Sequence, residues 1–302
     1  MKKQIIAAAV AASLSAVALA DVAITGSAKV NWTSTDAGAA TGSSRAMTHE
    51  LDYNVVGKSG DTAFHANIES TDTQGKAFKV KNQYMTTKVG NFDVKMGNWY
   101  TGDSNLHNGA TQDSQVQFGT TMGPASVTIN HMPNLSKAGA SKGKDHNEVH
   151  LKTTIAGLTV GVEQESTNAH RIVNVSGEMG GVSFSYTDSD SDVTSDNEQN
   201  LTIKTDVAGF GVEYHQTESQ DGTESDGFFG TFKNKDLKDA KGFGVTTSLA
   251  GNKVQLRNYE VNDKRDSKVI VTRSLASGAT AEVTYVNGDS DTMLDVELLV
   301  KF

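Results

Sequence analysis

The chain has no cysteine and only two prolines in 302 residues. Disulfides therefore play no part in holding it together, and so little proline leaves long sheet ladders with few missing donors. Basic charge is scarce as well: 27 lysines and arginines face 36 aspartates and glutamates, a formal net charge of −9. That balance argues against nucleic acid or anionic lipid as a partner. No G-x-S-x-G elbow occurs, and the eight histidines are scattered without a partnering serine motif, so nothing points to an enzyme. After residue 20 no stretch approaches the roughly 18 apolar residues that a membrane helix requires. A mean hydropathy of −0.40 would ordinarily suggest a soluble protein. A sheet that turns only alternate residues to lipid leaves the same value.

The single long apolar stretch is residues 1–20, MKKQIIAAAVAASLSAVALA. Lys2 and Lys3 supply a positive start, Ile5 to Val17 an apolar middle, and Ala18-Leu19-Ala20 a small-x-small exit. This is the pattern of a secretory signal peptide, with cleavage expected between Ala20 and Asp21. The mature protein is then one domain, residues 21–302, more acidic still for the loss of two lysines.

What the chain does have is alternation. Val22, Ile24, Ala28, Val30 and Trp32 occupy one parity and Thr25, Ser27, Lys29 and Asn31 the other. Met47, Leu51, Tyr53 and Val55 alternate in the same way with Thr48, Glu50, Asp52 and Asn54. The pattern continues through Phe64/Ala66/Ile68, Phe78/Val80/Tyr84, Phe92/Val94/Met96 and Val116/Phe118, and recurs to the end of the chain. There Leu294, Val296, Leu298, Val300 and Phe302 face away from Asp295, Glu297 and Lys301, with Leu299 breaking the order. Each such run reads as a half-buried strand, and the whole chain holds about eighteen. Tight turns fall near Gly57–Gly60, Gly90-Asn91, Gly123-Pro124, Gly157, Gly180-Gly181, Gly209, Gly251-Asn252 and Ser277-Gly278. Longer polar connections at 33–44, 99–113, 133–145, 188–196 and 218–240, and shorter ones near 70–76, 166–169, 262–266 and 288–291, separate the hairpins. Phe64, Phe92, Phe184, Phe210 and Phe243 each follow a tight turn, whereas Trp32, Tyr186, Tyr214 and Tyr285 lie toward the longer connections. Two aromatic girdles are expected from that arrangement.

The fold class that follows is all-β: a transmembrane antiparallel barrel of 16–18 strands, our count being 18. In hydrocarbon every backbone amide needs a partner, so a sheet can span only if it has no edge. At this strand number the interior is too wide for side chains to fill. The inward parity agrees, because it carries Lys29, Glu50, Asp52, His65, Glu69, Lys81, Gln83, Glu148, Glu163, Glu213, Arg257 and Glu282. So many charges in a dry core would carry a prohibitive desolvation cost. His146, Glu148 and His150 share this parity, but residues i and i+4 of a strand are about 13 Å apart. The two imidazoles are thus too distant to share an ion, and no metal or other cofactor is expected. The run from Asp188 to Glu198 lacks the glycine and spacing of a calcium loop.

The opening DVAITGSAKV (21–30), then SSRAMTHELDY (43–53), KVGNFDVKMGN (88–98) and the closing phenylalanine-terminated strand, in that order, resemble the Gram-negative general porin family. The branch is the one typical of alphaproteobacterial porins. The resemblance implies a homotrimer of barrels in the outer membrane, in contact with lipid and lipopolysaccharide, passing small hydrophilic solutes and ions. It implies that Phe302 is the terminal residue offered to the barrel-assembly machinery. It also implies a third loop, Trp99 to Asp113, folded inward so that Asp103 and Asp113 face wall cations. The candidates for those cations are Lys29, Arg45, Lys79, Lys81 and Lys95. Two departures stand out: this loop is short for the family, and the strand count exceeds the family's usual sixteen by one hairpin around 227–261. An alternative use of such a barrel is as an adhesin or receptor, with 218–240 as the binding surface.

Overall fold

A computed structural model describes residues 21–36, 42–71, 78–100, 112–133, 145–166, 170–190, 197–219, 228, 239–276, 278–289 and 292–302. Residues 1–20, with the expected cleavage point at Ala20, lie outside the described residues, as does Asp103. Every regular element among them is a strand. In chain order these are β1 (Asp21–Asp36), β2 (Ser43–Ser59), β3 (Thr62–Thr71), β4 (Lys79–Val89), β5 (Phe92–Tyr100) and β6 (Gln112–Met122). Next come β7 (Ala125–Met132), β8 (His146–Ile155), β9 (Leu158–Glu165), β10 (Arg171–Met179), β11 (Val182–Asp190) and β12 (Glu198–Val207). The last six are β13 (Phe210–Ser219), β14 (Asp239–Leu249), β15 (Asn252–Val261), β16 (Lys264–Ser274), β17 (Ala279–Gly288) and β18 (Thr292–Lys301). Each pairs antiparallel with its sequence neighbours, and β18 pairs with β1, so the 18-stranded sheet closes on itself. The hairpin that made eighteen rather than sixteen is β14–β15, and it is part of the wall.

The wall is inside-out relative to a soluble domain. Met179, Leu249, Ile155 and Met122 are 78, 67, 64 and 63 % exposed, and all lie on the outer parity. Among the described residues a compact apolar cluster, Phe228, Ala240, Tyr259 and Val261, sits on the inside. An apolar exterior of this extent is unlike the surface of a water-soluble monomer.

The closing ladder runs from Ser27 opposite Lys301 to Asp36 opposite Thr292, and Gly26 and Phe302 extend it by one more pair. The Gly26 amide donates to the Phe302 carbonyl at 2.7 Å, and the Phe302 amide donates to the Gly26 carbonyl at 3.0 Å. The Phe302 ring lies over Gly26 and meets Tyr53 edge to face, with centroids 5.9 Å apart. Tyr53 in turn contacts Phe78 at 6.4 Å.

The even-numbered and odd-numbered strands are joined differently at the two ends. Short turns after β2, β4, β6, β8, β10, β12, β14 and β16 collect at one end, as the glycine positions predicted. Three of them, Ala156-Gly157, Ala208-Gly209 and Ala250-Gly251, put an alanine at φ 50–51° before the glycine. Both central residues then have positive φ, the two-residue turn whose twist matches the strands, and asparagine fits the first position better than alanine does. Ala250→Asn is expected to stabilise the barrel by about 1 kcal/mol, read from its urea unfolding midpoint. At the other end one connection is shorter than expected. Residues 262–266 are not a loop: β15 and β16 meet at Asn262-Asp263, both with positive φ, in another two-residue turn.

One stretch of alternation is reversed. The β3–β4 ladder shifts register between Asn67 and Ile68, pairing Asn67 with Asn82 but Ile68 with Val80. Lys81 is the extra residue of a bulge. Phe78 and Val80 therefore keep the outer parity, but beyond the bulge Gln83 points outward and Tyr84 inward, the opposite of the expectation from simple alternation. A one-residue insertion moves every later side chain to the other face.

Candidate functional site: the inner wall

The inner wall is a mosaic of four polar sectors, each assembled across neighbouring strands. The first spans β17, β18 and β1 to β4. Lys29 Nζ lies 2.8 Å from Glu50 Oε2, and Lys81 Nζ lies 2.7 Å from Glu69 Oε1. Asp295 accepts from Asn31 Nδ2 at 3.1 Å and from the Thr33 hydroxyl at 3.0 Å. Glu282 and Glu297 stand directly opposite one another in register, and the Thr272 hydroxyl donates to Glu282 at 2.9 Å. Carboxylates dominate here, with Asp52 as a sixth. The lysine side chains are 35 and 37 % exposed, so their ion pairs are screened by water and contribute little stability. What they set is local potential.

The second sector lies on β3 to β6. Lys95 Nζ sits 4.1 Å from the Tyr84 ring centroid and 4.2 Å from that of Trp99. His65 also stacks on Tyr84 at 4.7 Å, with 16° between the planes. Two rings hold one ammonium, a cation–π arrangement that exists only because the bulge at Lys81 turned Tyr84 inward. The Gln115 side-chain amide donates to the Trp99 carbonyl at 2.7 Å. Trp99 is thus a wall residue of β5 rather than the first residue of a loop.

The third sector joins β8, β9 and the residue before β10. It contains His146, Glu148, His150, Glu163, Glu165 and His170, linked by contacts of 3.0 to 3.9 Å. The fourth lies on β13 to β16, where Phe228, from the connection between β13 and β14, rests against the inner wall at 2 % exposure. Its ring stacks on His215 at 4.1 Å and 13°, lies under the Arg257 guanidinium at 4.7 Å and meets Tyr259 edge-on at 6.4 Å. Gly242 and Gly244 supply the flat floor; a Cβ at either would lie 2.9 or 3.1 Å from the ring. Arg257 Nη1 donates to the Phe228 carbonyl at 2.9 Å, and Arg257 Nε lies 3.5 Å from Glu213 Oε1.

The candidate constriction residues separate accordingly. Lys29, Lys81 and Lys95 are on the inner wall, the first two matched to carboxylates and the third to aromatic rings. Lys79 faces inward opposite Glu69, at the end with the longer connections. Arg45 is different. It pairs with Ser34 and shares its parity with Met47 and Tyr53, so it belongs to the outer face at that rim. Alternation alone excludes it from the wall, since 45 is odd where the inward residues of β2 are even. Asp113 pairs with Trp99 in the β5–β6 ladder; the connection 101–111 lies outside the described residues. The cross-strand partners Glu163, Glu165 and His170, and the wall position of Phe228, were not foreseen as parts of a site. Only a strand register could have shown the first three, and the paired glycines Gly242 and Gly244 were the single hint of the last.

No protein-family model matches the sequence, and no curated protein matches it. Solved structures do. OccK11 (OpdR) of Pseudomonas aeruginosa superposes with a TM-score of 0.70 at 9 % identity, covering 93 % of this chain and 96 % of that one. OccD3 (OpdP) of the same organism gives 0.67 at 10 % identity, with 93 and 91 % covered. A triple mutant of Rhodopseudomonas blastica porin gives 0.61 at 10 % identity, with 93 and 100 % covered. The class of fold is therefore that of a closed antiparallel barrel, similar to those of OccK11, OccD3 and Rhodopseudomonas blastica porin.

Proposed function

We propose that this protein is a porin of the Gram-negative outer membrane, a water-filled channel for passive diffusion of small hydrophilic solutes and ions. The observation that carries this reading is the sidedness of the closed sheet: apolar outside, charged inside, with no packed core filling the interior among the described residues. Eighteen strands about 4.8 Å apart and tilted by about 40° wrap a cylinder roughly 35 Å across. Two facing layers of side chains span only about 10 Å. The remaining space is aqueous, and charged walls in contact with water avoid the desolvation that a dry core would impose.

On this reading residues 1–20 are a signal peptide removed before Asp21, Phe302 is presented to the barrel-assembly machinery, and the barrel works as a homotrimer among lipid and lipopolysaccharide. The order of motifs favours the general porin family in its alphaproteobacterial branch. Solutes are sieved by width and sorted by wall charge. The carboxylates of β17, β18, β2 and β3 give a modest preference for cations.

Refolded protein in planar bilayers tests the proposal. Stepwise conductance and a cation-selective reversal potential in a salt gradient are expected. Replacing Glu282 and Glu297 together by glutamine is expected to move that reversal potential toward zero while the barrel stays folded. A folded barrel that conducts nothing would replace the channel with a surface-binding role.

A further inference from the structure

The histidine–glutamate sector gathers side chains of metal-ligating type on the inner wall. Strand alternation turns His146, Glu148 and His150 inward along β8, and the β8–β9 ladder places Glu148 directly opposite Glu165 and His150 opposite Glu163. His146, Glu148 and Glu165 are 5, 1 and 5 % exposed. Two carboxylates opposed across a ladder repel one another, and burial removes the water that would screen them. A divalent ion bound to both carboxylates turns that repulsion into attraction.

The geometry points to a metal ion. His146 Nε2 lies 3.0 Å from Glu148 Oε1 and 3.9 Å from Glu165 Oε2, and one ligand atom from each residue falls within 4.8 Å of the others. Tetrahedral zinc with bonds of about 2.0–2.1 Å needs ligand atoms roughly 3.3–3.4 Å apart, a value the two distances bracket. Each carboxylate is also held by its second oxygen. Glu148 Oε2 accepts from Asn130 Nδ2 at 3.1 Å and lies 3.5 Å from His150 Nε2, while Glu165 Oε1 lies 3.4 Å from His170 Nδ1. Outer partners that orient the ligating groups are a regular part of metal sites. His150 has its other nitrogen 3.0 Å from Glu163 Oε2. Both of its ring nitrogens therefore face carboxylates, and it is a positioning residue rather than a ligand.

We propose that His146, Glu148 and Glu165 bind one divalent transition-metal ion of the zinc class on the inner wall, near the end with the longer connections. Two carboxylates cancel the ionic charge and a neutral imidazole completes three ligands. Calcium and magnesium fit poorly, because they require six or more oxygen ligands, whereas an imidazole with few carboxylates suits zinc, copper or nickel. The distance argument made from sequence, that His146 and His150 cannot share an ion, still holds. The second and third ligands come from the facing strand and from between the imidazoles.

Binding is measured on the folded full barrel in detergent, so a barrel that did not conduct would leave this proposal standing. Cobalt(II) serves as the optical probe and zinc as its competitor. One cobalt per chain is expected, with the visible absorption of a four-coordinate ion, displaced by zinc. His146→Gln and Glu165→Gln are each expected to weaken zinc binding by more than about 100-fold, and His170→Ala by about 10–100-fold. His131→Ala, whose side chain is on the outer face, leaves it unchanged. Heat-modifiable electrophoretic mobility confirms that each variant is a closed barrel, and His146→Gln decides the matter if Glu165→Gln does not fold. No zinc uptake at millimolar concentration, or uptake indifferent to His146→Gln, overturns the proposal.

Discussion

Gly26→Val is expected to abolish formation of the closed barrel. A Cβ at residue 26 would stand 2.5 Å from the Asp52 carbonyl oxygen and 2.8 and 2.9 Å from two carbons of the Phe302 ring. The ring can swing away into lipid at modest cost; the Asp52 carbonyl cannot move, because it belongs to the β1–β2 ladder. An open seam in hydrocarbon leaves two rows of amides without partners, each costing several kcal/mol. Failure at one residue therefore propagates along the whole edge. The measurement is refolding into detergent or lipid followed by unheated electrophoresis, where a closed barrel migrates faster than the unfolded chain. Phe302→Ala provides the contrast. It loses the ring contact with Tyr53, worth about 0.5–1.5 kcal/mol beyond area burial, but retains both backbone bonds to Gly26. That variant is expected to fold, more slowly or less stably. If Gly26→Val refolds as fully as the parent, the close approach of Gly26 to Asp52 and Phe302 is not needed for the sheet to close.

Phe228→Ala is expected to raise single-channel conductance. Truncating a fully buried phenylalanine typically costs about 3–5 kcal/mol, and here the loss falls on the attachment of one residue to the wall rather than on the barrel. With the ring gone, Arg257 loses its cation–π contact, and the open cross-section at the level of His215 and Arg257 widens. The global unfolding midpoint should change little, since the strands keep their ladders. Gly244→Val tests the same seat from below: its Cβ would approach the Glu213 side chain at 2.9 Å and the Phe228 ring at 3.1 Å, with no backbone atom in the way. Both variants should increase conductance. Unchanged conductance in both would show that Phe228 does not narrow the path. The absence of cysteine from the chain makes labelling a single cysteine introduced near this seat a clean companion measurement.

Much of the fold was legible along the chain. The runs from Val22 to Trp32 and from Leu294 to Phe302 alternate so regularly that their two faces could be assigned without coordinates, and the glycine-marked turns gave the strand number, including the hairpin at β14–β15. Alternation is a property of the extended backbone itself, and each strand carries it locally. Where the reading failed, the cause was also local and small. Lys81 inserts one residue into β4, and from there Gln83 and Tyr84 exchange faces. Sequence does not announce a bulge, because the residues on either side still alternate perfectly well in their own frame. At Asn262-Asp263 the polar residues suggested a loop, but two consecutive left-handed residues were enough to make a turn.

The candidate site was legible only in its ingredients. That Glu148, Glu163 and Glu165 face inward follows from parity; that Glu165 stands beside Glu148 follows from register, which is settled by pairing along the full length of two strands. Lys29 and Glu50, twenty-one positions apart in the chain, are neighbours for the same reason, as are Asn31 and Asp295 across the closing seam. The seat of Phe228 is more remote still, since it needs two glycines of one strand, a histidine and an arginine of its neighbours, and a ring from the connection between β13 and β14. The amino-acid sequence by itself determined a barrel with a greasy outside and a charged inside, because side-chain direction in a strand repeats every two residues. Which charges meet, and so which carboxylates oppose one another and which ring lies on the wall, was decided by the closed sheet alone, because contacts between strands depend on register, twist and a single bulge that no local pattern encodes.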